Sequence, residues 1–496
     1  MDVPLMSAAQ LDFFSGHGGA EVQQLPSAAA VESLTSDDRR RQGITLTPHW
    51  LVELMLDRLA GAGTFETIVD PGAGTGLFCV AAARRFPGAR VVAVERNEAM
   101  AASLRHNVAQ AGLTDRIEIV QGDFRDARIK LSGRTAFVGN PPYVRHHHIE
   151  AAWKLWYAAT MARCGQRASQ LAGLHLHFLT RVAELARPGD HLCFVTSAEW
   201  LDNGYGAAWR ALLTAQCGPL NLMGLWVAEP HTAIFPDALV SALVLEACAG
   251  VEVAAIGLGV LQQGAMHTLR VLPPATLARA QRWTPLCQHQ LAAPAAGIEV
   301  GELFKVTRGQ VTGMNVAWVL PANHEELPLA LSVPSVTRAR EIIDGTVEAR
   351  DGLCRLRRVV SLPHDLSSLP AALRDSASIF LAKARALGAA QGYVAKQRRS
   401  WHALDLREPP AALVSYMGRR PPVFRTNPHR ASFLNIAHGL YPRLVMAPQV
   451  LKALLAYLNE HTDMRSGRMY GGGMAKFEPS DIARLRISPT VLEPHS

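Results

Sequence analysis

The sequence lacks the features of a membrane or secreted protein. None of its apolar runs approaches the roughly 18 residues that cross a bilayer, and residues 1–10 lack a basic stretch followed by an apolar core. The 7 cysteines stand singly, without a Cys-x-x-Cys pair, so neither a zinc site nor a disulfide framework is indicated. The sequence therefore predicts a cytoplasmic protein that binds neither a membrane nor a metal.

Acidic residues are scarce only in the C-terminal part. The net charge is +8, yet residues 1–300 carry 24 Lys and Arg against 26 Asp and Glu. Residues 301–496 carry 26 Lys and Arg against 16 Asp and Glu. A basic C-terminal part favours a polyanionic partner, although basic domains without such a partner are common.

A short run after one apolar strand carries the strongest chemical signal. Residues 135–138 (TAFV) are typical of a buried strand, and two prolines directly after Asn140 prevent that strand from continuing. The Asn140 amide and the Pro141 carbonyl offer two adjacent acceptors, which suit an exocyclic amino group on a flat ring. Tyr143 offers that ring a face to stack on. Taken alone, the run also fits a strand that ends in a Pro-Pro turn.

Polar residues also end three earlier strands of the predicted fold. A glycine-rich turn and then a helix follow Asp70. Glu95 ends the second strand, where it can accept hydrogen bonds from ribose hydroxyls, and Asp123 ends the third, where it can accept from an adenine amino group. The alternation of strands and helices predicts an α/β fold with a doubly wound, mostly parallel sheet, whose ligands bind at the carboxyl ends of the strands. The glycines of the turn are Gly72, Gly74 and Gly76.

The spacing of the glycines indicates which class of cofactor the loop binds. Two nearby features, Thr47 and the histidine tract, each allow more than one role. The third glycine of this Gly-x-Gly-x-Gly run does not stand at the position that the dinucleotide pattern Gly-x-Gly-x-x-Gly requires. A nucleoside cofactor without a pyrophosphate therefore fits better. Thr47 is expected to cap a helix that starts with Pro48, a role compatible with a ligand contact. His146–His148 are expected to form a basic lip around the site rather than a metal site, because chain neighbours rarely face one ion together.

Composition divides the chain into three segments. Residues 1–43 are a polar lead-in, residues 44–288 hold the α/β domain, and residues 289–496 follow an Ala-, Pro- and Gln-rich boundary. Between residues 383 and 430, ten Lys and Arg stand against two acidic residues with aromatics interspersed, which indicates a nucleic-acid surface or, alternatively, a solvated basic face. The candidate DNA contacts are Arg145, Arg398, Arg399, Arg419, Arg420, Arg468 and Lys476.

With these residues in place, the chain resembles an adenine-N6 DNA methyltransferase of a restriction–modification system, of the Taq-type branch with the gamma order of motifs. Residues 70–76 (DPGAGTG) match the S-adenosylmethionine loop of that family, and residues 140–143 (NPPY) match its catalytic tetrapeptide. Thr47 and Pro48 match the leading motif, which in the family helps to hold the methionine part of the cofactor. Residues 234–237 (IFPD) resemble a loop whose aromatic residue contacts the extruded base.

The resemblance implies a fold, a cofactor and a partner. The fold is a class I, Rossmann-like methyltransferase with a seven-stranded sheet, followed by a smaller mixed α+β target-recognition domain. That domain is matched more loosely, in residues 307–315 and 468–473. The catalytic residues are expected to be Asn140, Pro141, Tyr143 and Phe235. The cofactor, S-adenosylmethionine, is expected to contact Thr47, Asp70, Gly72, Gly74, Gly76, Glu95, Asp123, Phe124 and Asn140.

The implied partner is double-stranded DNA, bound by a monomer. No acidic-acidic-lysine nuclease cluster is evident in the sequence, so a separate restriction endonuclease is the candidate partner rather than a fused one. Three other functions fit parts of the pattern. An RNA adenine-N6 or guanine-N2 methyltransferase is the main alternative. A protein glutamine methyltransferase needs no large basic domain, and a non-catalytic DNA-binding module needs neither the cofactor loop nor Asn140.

Overall fold

A computed structural model of the chain describes residues 43, 45–229, 234–235, 241–288, 297–470 and 473–492. The described residues cluster into two compact units, one of residues 43–288 and one of residues 297–469 and 473–492. Nearly all of the predicted lead-in and the C-terminal side of the predicted boundary at 288/289 lie outside the described residues. Those domain limits therefore stay predictions.

One large sheet forms the centre of the first unit. Its strands are β1 (Thr67–Pro71), β2 (Arg90–Glu95), β3 (Ile117–Gln121), β4 (Thr135–Gly139), β5 (His191–Ser197), β6 (Asn221–Ala228), β7 (Ala242–Cys248), β8 (Ile256–Gln262) and β9 (Ala265–Leu272). They form a 9-stranded sheet in the order β3-β2-β1-β4-β5-β7-β6-β8-β9. Strands β1 to β5 pair in parallel, and β7 runs antiparallel between β5 and β6. The predicted mostly parallel sheet is confirmed.

The sheet is wider than the seven strands that the family resemblance implied. Strand β8 pairs in parallel with β6, and β9 closes that edge antiparallel to β8. Both fall between residues 250 and 300, where composition pointed to a boundary. The sequence of β8, IGLGVLQ, alternates apolar residues with glycine, and glycine weakens the usual strand pattern.

Helices cover both faces of this sheet. They are α1 (His49–Gly61), α2 (Leu77–Arg85), α3 (Glu98–Gln110), α4 (Ala151–Arg163), α5 (Leu174–Leu185), α6 (Ala207–Thr214) and α7 (Pro274–Arg279). Side chains alternate across a strand, so Ile68 and Val91 join one core with α1 and α2. Val69 and Val92 join the opposite core with α5 and α6. The first unit is therefore doubly wound, as predicted.

The second unit is a mixed α+β assembly of short elements. Its strands are β10 (Ile298–Glu299), β11 (Phe304–Arg308), β12 (Val319–Leu320), β13 (Ser332–Val336), β14 (Arg358–Val360), β15 (Ala412–Ser415), β16 (Met417–Gly418), β17 (Phe424–Thr426), β18 (Ser432–Phe433), β19 (Ala437–Pro442), β20 (Arg468–Tyr470), β21 (Met474–Lys476) and β22 (Arg486–Ile487). Its helices are α8 (Val300–Leu303), α9 (Asn315–Trp318), α10 (Arg340–Ile343), α11 (Gly352–Arg355), α12 (Ala371–Ala386), α13 (Tyr393–Lys396), α14 (Pro448–His461) and α15 (Pro479–Ala483).

Two four-stranded sheets organise the second unit. Sheet β11-β19-β15-β17 packs its apolar side chains with those of α14, including Phe304 and Leu454. Sheet β12-β14-β13-β18 lies in sequence around α12, and Val359 of β14 shares a core with Phe380 of α12. Among the residues that the structure describes, no helix is long and apolar enough to span a bilayer.

Candidate active site

A cavity of about 490 Å³ lies at the carboxyl ends of the parallel strands in the first unit. Parallel strands present their carboxyl ends at one edge, so the polar strand ends that the sequence marked meet here. Asp70 and Gly76 do not line the cavity. They contact the helices next to the loop instead, Asp70 at the Cys79 amide and Gly76 at the Leu104 side chain. The predicted cofactor residues that do line it are Thr47, Gly72, Gly74, Glu95, Asp123, Phe124 and Asn140.

Backbone geometry explains the glycines of the loop. Gly72 has φ +103° and Gly76 has φ +100°, conformations that side-chain-bearing residues rarely adopt. A Cβ atom on Gly76 would lie 2.6 Å from Leu104 Cδ1. The amide of Gly72 donates to the Val94 carbonyl at 2.8 Å, which ties the loop to β2. The loop is thus held open and close to the sheet edge, so its backbone faces the cavity.

Two carboxylates accept hydrogen bonds from the backbone of the glycine loop and of the helix that follows it. Glu95 Oε2 accepts from the amide of Gly74 at 2.8 Å, and Oε1 accepts from the amide of Asn97 at 2.7 Å. Burial raises the pKa of Glu95, although these backbone donors act against that rise. Asp70, only 1 % exposed, accepts from the amide of Cys79 at 3.1 Å. Burial raises the pKa of Asp70 to about 8. Asp70 therefore holds the start of α2 and does not line the cavity, although the sequence predicted a cofactor contact for it.

Asp123 lines the cavity as predicted, but a guanidinium holds it. Arg125 Nε donates to Asp123 Oδ1 at 2.9 Å, and Arg125 Nη2 donates to Oδ2 at 2.6 Å. The Arg125 amide also donates to Oδ1 at 3.0 Å, which leaves Oδ2 with the larger remaining capacity to accept. Burial opposes ionisation of Asp123, but the hydrogen bonds and charge of Arg125 outweigh it and lower its pKa. Asp123 is therefore a fixed anionic acceptor.

Sequence reasoning missed two residues beside Asp123. Arg125 is 4 % exposed, lines the cavity, and lies over the Trp153 ring with its guanidinium carbon 4.0 Å from the ring centroid. Trp153, on α4, lines the same cavity. Arg125 stands two residues after Asp123, and that spacing was the available signal. Trp153 lies on a helix without a motif, so only the fold brings it to the site.

The Asn140 side chain is oriented by two acceptors from the segment before α1. Its Nδ2 donates to Thr47 Oγ1 at 3.0 Å and lies 3.5 Å from the Thr45 carbonyl oxygen. A carbonyl oxygen can only accept, so the amide nitrogen must face it. Asn140 Oδ1 is buried and has no hydrogen-bond partner among the described residues. Burying such an acceptor without a donor costs free energy, which favours a ligand that supplies one.

This arrangement corrects the role predicted for Thr47 as a helix cap. Pro48 is the N-cap residue of α1, in an extended backbone conformation, and no side chain caps it. The Thr47 hydroxyl points instead to Asn140. Thr47 therefore links the leading motif directly to the predicted catalytic tetrapeptide.

The two predicted aromatic residues lie side by side. The ring centroids of Tyr143 and Phe235 are 6.0 Å apart, with ring planes inclined by 60°. Phe235 is 2 % exposed, so it is a core side chain in this conformation, and Tyr143 is partly exposed. Burial also raises the pKa of the Tyr143 hydroxyl well above its ordinary value. Tyr143 keeps part of its side chain exposed in this conformation, whereas contact between a base and Phe235 needs a local rearrangement.

The histidine tract lies at the rim of the cavity. His146–His148 form one 3₁₀ turn, and His148 lines the cavity near the exposed Arg145. The rings of His147 and His148 have centroids 4.2 Å apart. Within the described ranges, no group of three His, Cys, Asp or Glu side chains is placed to hold a metal ion.

The predicted DNA contacts of the second unit fall into two groups. Arg398 Nη2 donates to the carbonyls of Val311 and Thr312 at 2.8 and 2.9 Å, so it fixes a loop. Arg468 Nε lies 3.2 Å from Asp481 Oδ2, and Lys476 Nζ lies 2.6 Å from Glu478 Oε1. These three side chains have structural partners that compete with phosphate. The exposed group is Arg399, Arg419 and Arg420.

Fold and cavity together define a class I S-adenosylmethionine-dependent methyltransferase. A family model described as methyltransferase domain matches residues 68–189. A second, described as type II methyltransferase M.Eco57I, C-terminal domain, matches residues 287–495. The chain is 42% identical over 454 residues to the type II methyltransferase M.XamI of Xanthomonas campestris pv. amaranthicola, covering 90% of this chain and 85% of that protein. The chain therefore belongs to the type II DNA methyltransferases of restriction–modification systems.

Two further comparisons bear on fold and substrate. A solved structure of the type IIL restriction–modification enzyme MmeI in complex with DNA aligns with a TM-score of 0.58 at 13% identity. That alignment covers 92% of this chain and 68% of the other, and it shows a similarity of fold alone. A tRNA1(Val) (adenine(37)-N6)-methyltransferase of Porphyromonas gingivalis is 31% identical over 148 residues, covering 29% of this chain and 54% of that protein.

Proposed function

We propose that this chain transfers a methyl group from S-adenosylmethionine to the N6 amino group of an adenine rotated out of duplex DNA, as the modification enzyme of a restriction–modification system. The observation that carries the proposal is the Asn140 amide. Its nitrogen is held by Thr47 and Thr45, while its oxygen is buried and lacks a donor within the described residues. An exocyclic amino group supplies the missing donor.

The residues around the cavity fit the cofactor. Gly72, Gly74, Glu95 and Asp123 line the cavity, and we assign the glycine backbone to close contact with the ligand, Glu95 to the ribose hydroxyls and Asp123 to the adenine amino group. S-adenosylmethionine supplies a methyl group on a sulfonium sulfur, and that sulfur leaves as a neutral thioether. Because the leaving group is neutral, the protein does not have to stabilise a negative charge on it. The main task of the protein is then to orient the two reactants, and orientation alone can contribute several orders of magnitude in rate.

The chain's own residues then act on the amino group of the target. The lone pair of an adenine amino nitrogen is delocalised into the ring, which makes it a poor nucleophile. Asn140 Oδ1 and the Pro141 carbonyl accept hydrogen bonds from its two N–H groups, which favours a tetrahedral nitrogen with a localised lone pair. Stacking on Tyr143 offsets part of the unstacking cost, at about 1–3 kcal/mol per base. The nitrogen lone pair forms the new bond to the methyl carbon as the methyl–sulfur bond breaks, and the methylated nitrogen then loses one proton to water.

RNA methylation is the alternative that a relative favours. The similarity to the tRNA methyltransferase, however, covers 29% of this chain, whereas the similarity to M.XamI covers 90% and includes the second unit. That unit is the basic part of the chain, with 26 Lys and Arg against 16 Asp and Glu in residues 301–496. This breadth supports a DNA substrate. We further propose a monomer with a separate endonuclease partner.

Label transfer tests the proposal directly. The purified chain is incubated with S-adenosylmethionine carrying a tritiated methyl group and with duplex DNA, structured RNA or a protein extract. We expect label in DNA, and N6-methyladenosine after enzymatic digestion to nucleosides. Label confined to RNA or protein, or label in DNA on another base, would overturn the assignment.

A further inference from the structure

Two segments of the second unit carry positive charge without any acidic residue. Residues 303–324 and residues 376–404 contain no Asp or Glu. The acidic residue next in sequence, Asp405, lies 2.8 Å from His364. The basic residues of the two segments are Lys305, Arg308, Lys383, Arg385, Lys396, Arg398 and Arg399.

The fold packs these two segments against each other. Arg398 donates to the carbonyls of Val311 and Thr312, and the rings of Trp318 and Trp401 have centroids 5.7 Å apart. Gly313, with φ +79°, approaches so closely that a Cβ atom there would lie 3.0 Å from Val394 Cβ. The surface that they form is therefore supported by the contact of buried Trp318 with partly buried Trp401 and by fixed backbone.

Several apolar and aromatic side chains of this surface are exposed. Tyr393 is 79% exposed and Val316 is 76% exposed, with Leu387 also exposed. No hydrogen bond or ion pair with the described residues engages Lys396 or Arg399, both of which are exposed. We name these five exposed residues, which stand on the two segments packed against each other, the Tyr393 face. Apolar and aromatic side chains gathered in the open mark an interaction site.

We propose that the Tyr393 face is the surface through which the second unit binds duplex DNA, an inference that rests on the proposed DNA substrate. Lys396 and Arg399 contact phosphates, since they are exposed cations that lack a partner among the described residues. Tyr393 places its ring against the sugar or base edges between them. Arg398 does not bind DNA and holds the loop beneath the face. A negatively charged polymer with apolar ring edges is the partner that this combination fits.

Charge-matched variants of the full chain test the face. Binding of a fluorescein-labelled random-sequence DNA duplex is measured by anisotropy over a range of salt concentrations. The variant Lys396→Gln with Arg399→Gln should reduce the slope of log K against log salt by about 0.9 per lost phosphate contact. The control, Arg350→Gln with Lys452→Gln, removes two exposed cations from other segments and should keep the wild-type slope.

The tyrosine is tested separately. Tyr393→Ala should weaken duplex binding on the order of 10-fold, and Tyr393→Phe should restore most of it if the ring face makes the contact. Binding of S-adenosylhomocysteine by each variant shows that the first unit is folded, and a wild-type chemical denaturation curve shows the same for the second unit. If wild type binds the duplex and the face variants bind like the control, the Tyr393 face is wrong and the proposed function stands. If wild type binds RNA but not duplex DNA, both proposals fail.

Discussion

The Asp123–Arg125 pair in the cavity of the first unit is largely shielded from solvent, whereas the cations of the Tyr393 face in the second unit are exposed and lack described partners. Asp123 and Arg125 make a two-point contact at 2.9 and 2.6 Å. Lys396 and Arg399 extend from a surface built on fixed backbone. A buried, paired set holds one small ligand in one geometry. An exposed set attracts a polyanion and releases its counterions, with little constraint on register.

This difference suggests how the two units share the work. The cavity provides orientation, which depends on sub-ångström placement of Asn140 and the cofactor loop. The Tyr393 face provides affinity for DNA, which depends on the number of phosphate contacts and on the salt concentration. Substitutions in the cavity should therefore change the rate or the ligand preference, and substitutions on the face should change the salt dependence of binding.

The largest effect is expected at Asn140. Asn140→Ala removes the buried acceptor and should lower the methyl-transfer rate by on the order of 10²–10³-fold or more, comparable to the loss of one oriented group that stabilises a transition state. Single-turnover transfer of labelled methyl to duplex DNA measures it. Affinity for S-adenosylmethionine, measured by calorimetry, should change little, because the glycine loop, Glu95 and Asp123 remain.

Thr47 provides the graded control for that experiment. Thr47→Val removes the hydroxyl that accepts from Asn140 Nδ2 and should slow transfer by less than Asn140→Ala does, while Thr47→Ser should restore it. Transfer by Asn140→Ala near the wild-type rate would remove the amide from the mechanism. A slow Thr47→Ser variant would instead indicate that the methyl group of Thr47 matters.

The second effect concerns how the cavity recognises adenine. Arg125→Met removes the guanidinium that donates to both oxygens of Asp123, with Arg96 Nη1 at 3.6 Å from Oδ2 as the remaining cation, and should weaken binding of S-adenosylhomocysteine on the order of 10-fold. The sharper readout uses the deaminated analogue, which has a carbonyl in place of the adenine amino group. Wild type should prefer the amino form, since Asp123 Oδ2 accepts from it, and Arg125→Met should lose most of that preference.

A conservative variant separates charge from geometry at the same position. Arg125→Lys keeps a cation but lacks the planar fork that contacts both oxygens of Asp123. It should bind with intermediate affinity. If Arg125→Met weakened both ligands equally, Arg125 would serve only to fold the wall of the cavity beside Trp153.

Much of the site could be predicted because its signals are backbone signals. Gly72 and Gly76 need positive φ, the Pro-Pro pair stops β4, and strand ends converge at one edge in any parallel sheet. Those requirements act locally and are visible in sequence. The position of Asp70 at a strand end does not state which way its carboxylate faces; here Asp70 accepts from the Cys79 amide and does not line the cavity.

The remainder depends on contacts between distant segments. Trp153 reaches Arg125 only because α4 crosses the cavity, and β8 and β9 extend the sheet through an Ile-Gly-Leu-Gly pattern with little strand character. Among the basic residues, sequence treated Arg398 and Arg399 alike. Their difference arises from folding, since one guanidinium meets two carbonyls and the other is exposed.

That neighbouring pair gives the smallest predicted effect and the sharpest form of the comparison. Arg398→Gln should lower the free energy of unfolding of the second unit by about 1–2 kcal/mol, because a charged donor to two carbonyls is lost at a half-buried position. Arg399→Gln should change that free energy by less than about 0.5 kcal/mol. Chemical denaturation and hydrogen exchange of residues 309–316 measure both. For duplex binding the order should reverse, with Arg399→Gln reducing the salt slope and Arg398→Gln preserving it under conditions where the unit is folded. Equal effects of the two variants on both measurements would mean that burial and hydrogen bonding do not distinguish structural from ligand-binding arginines here.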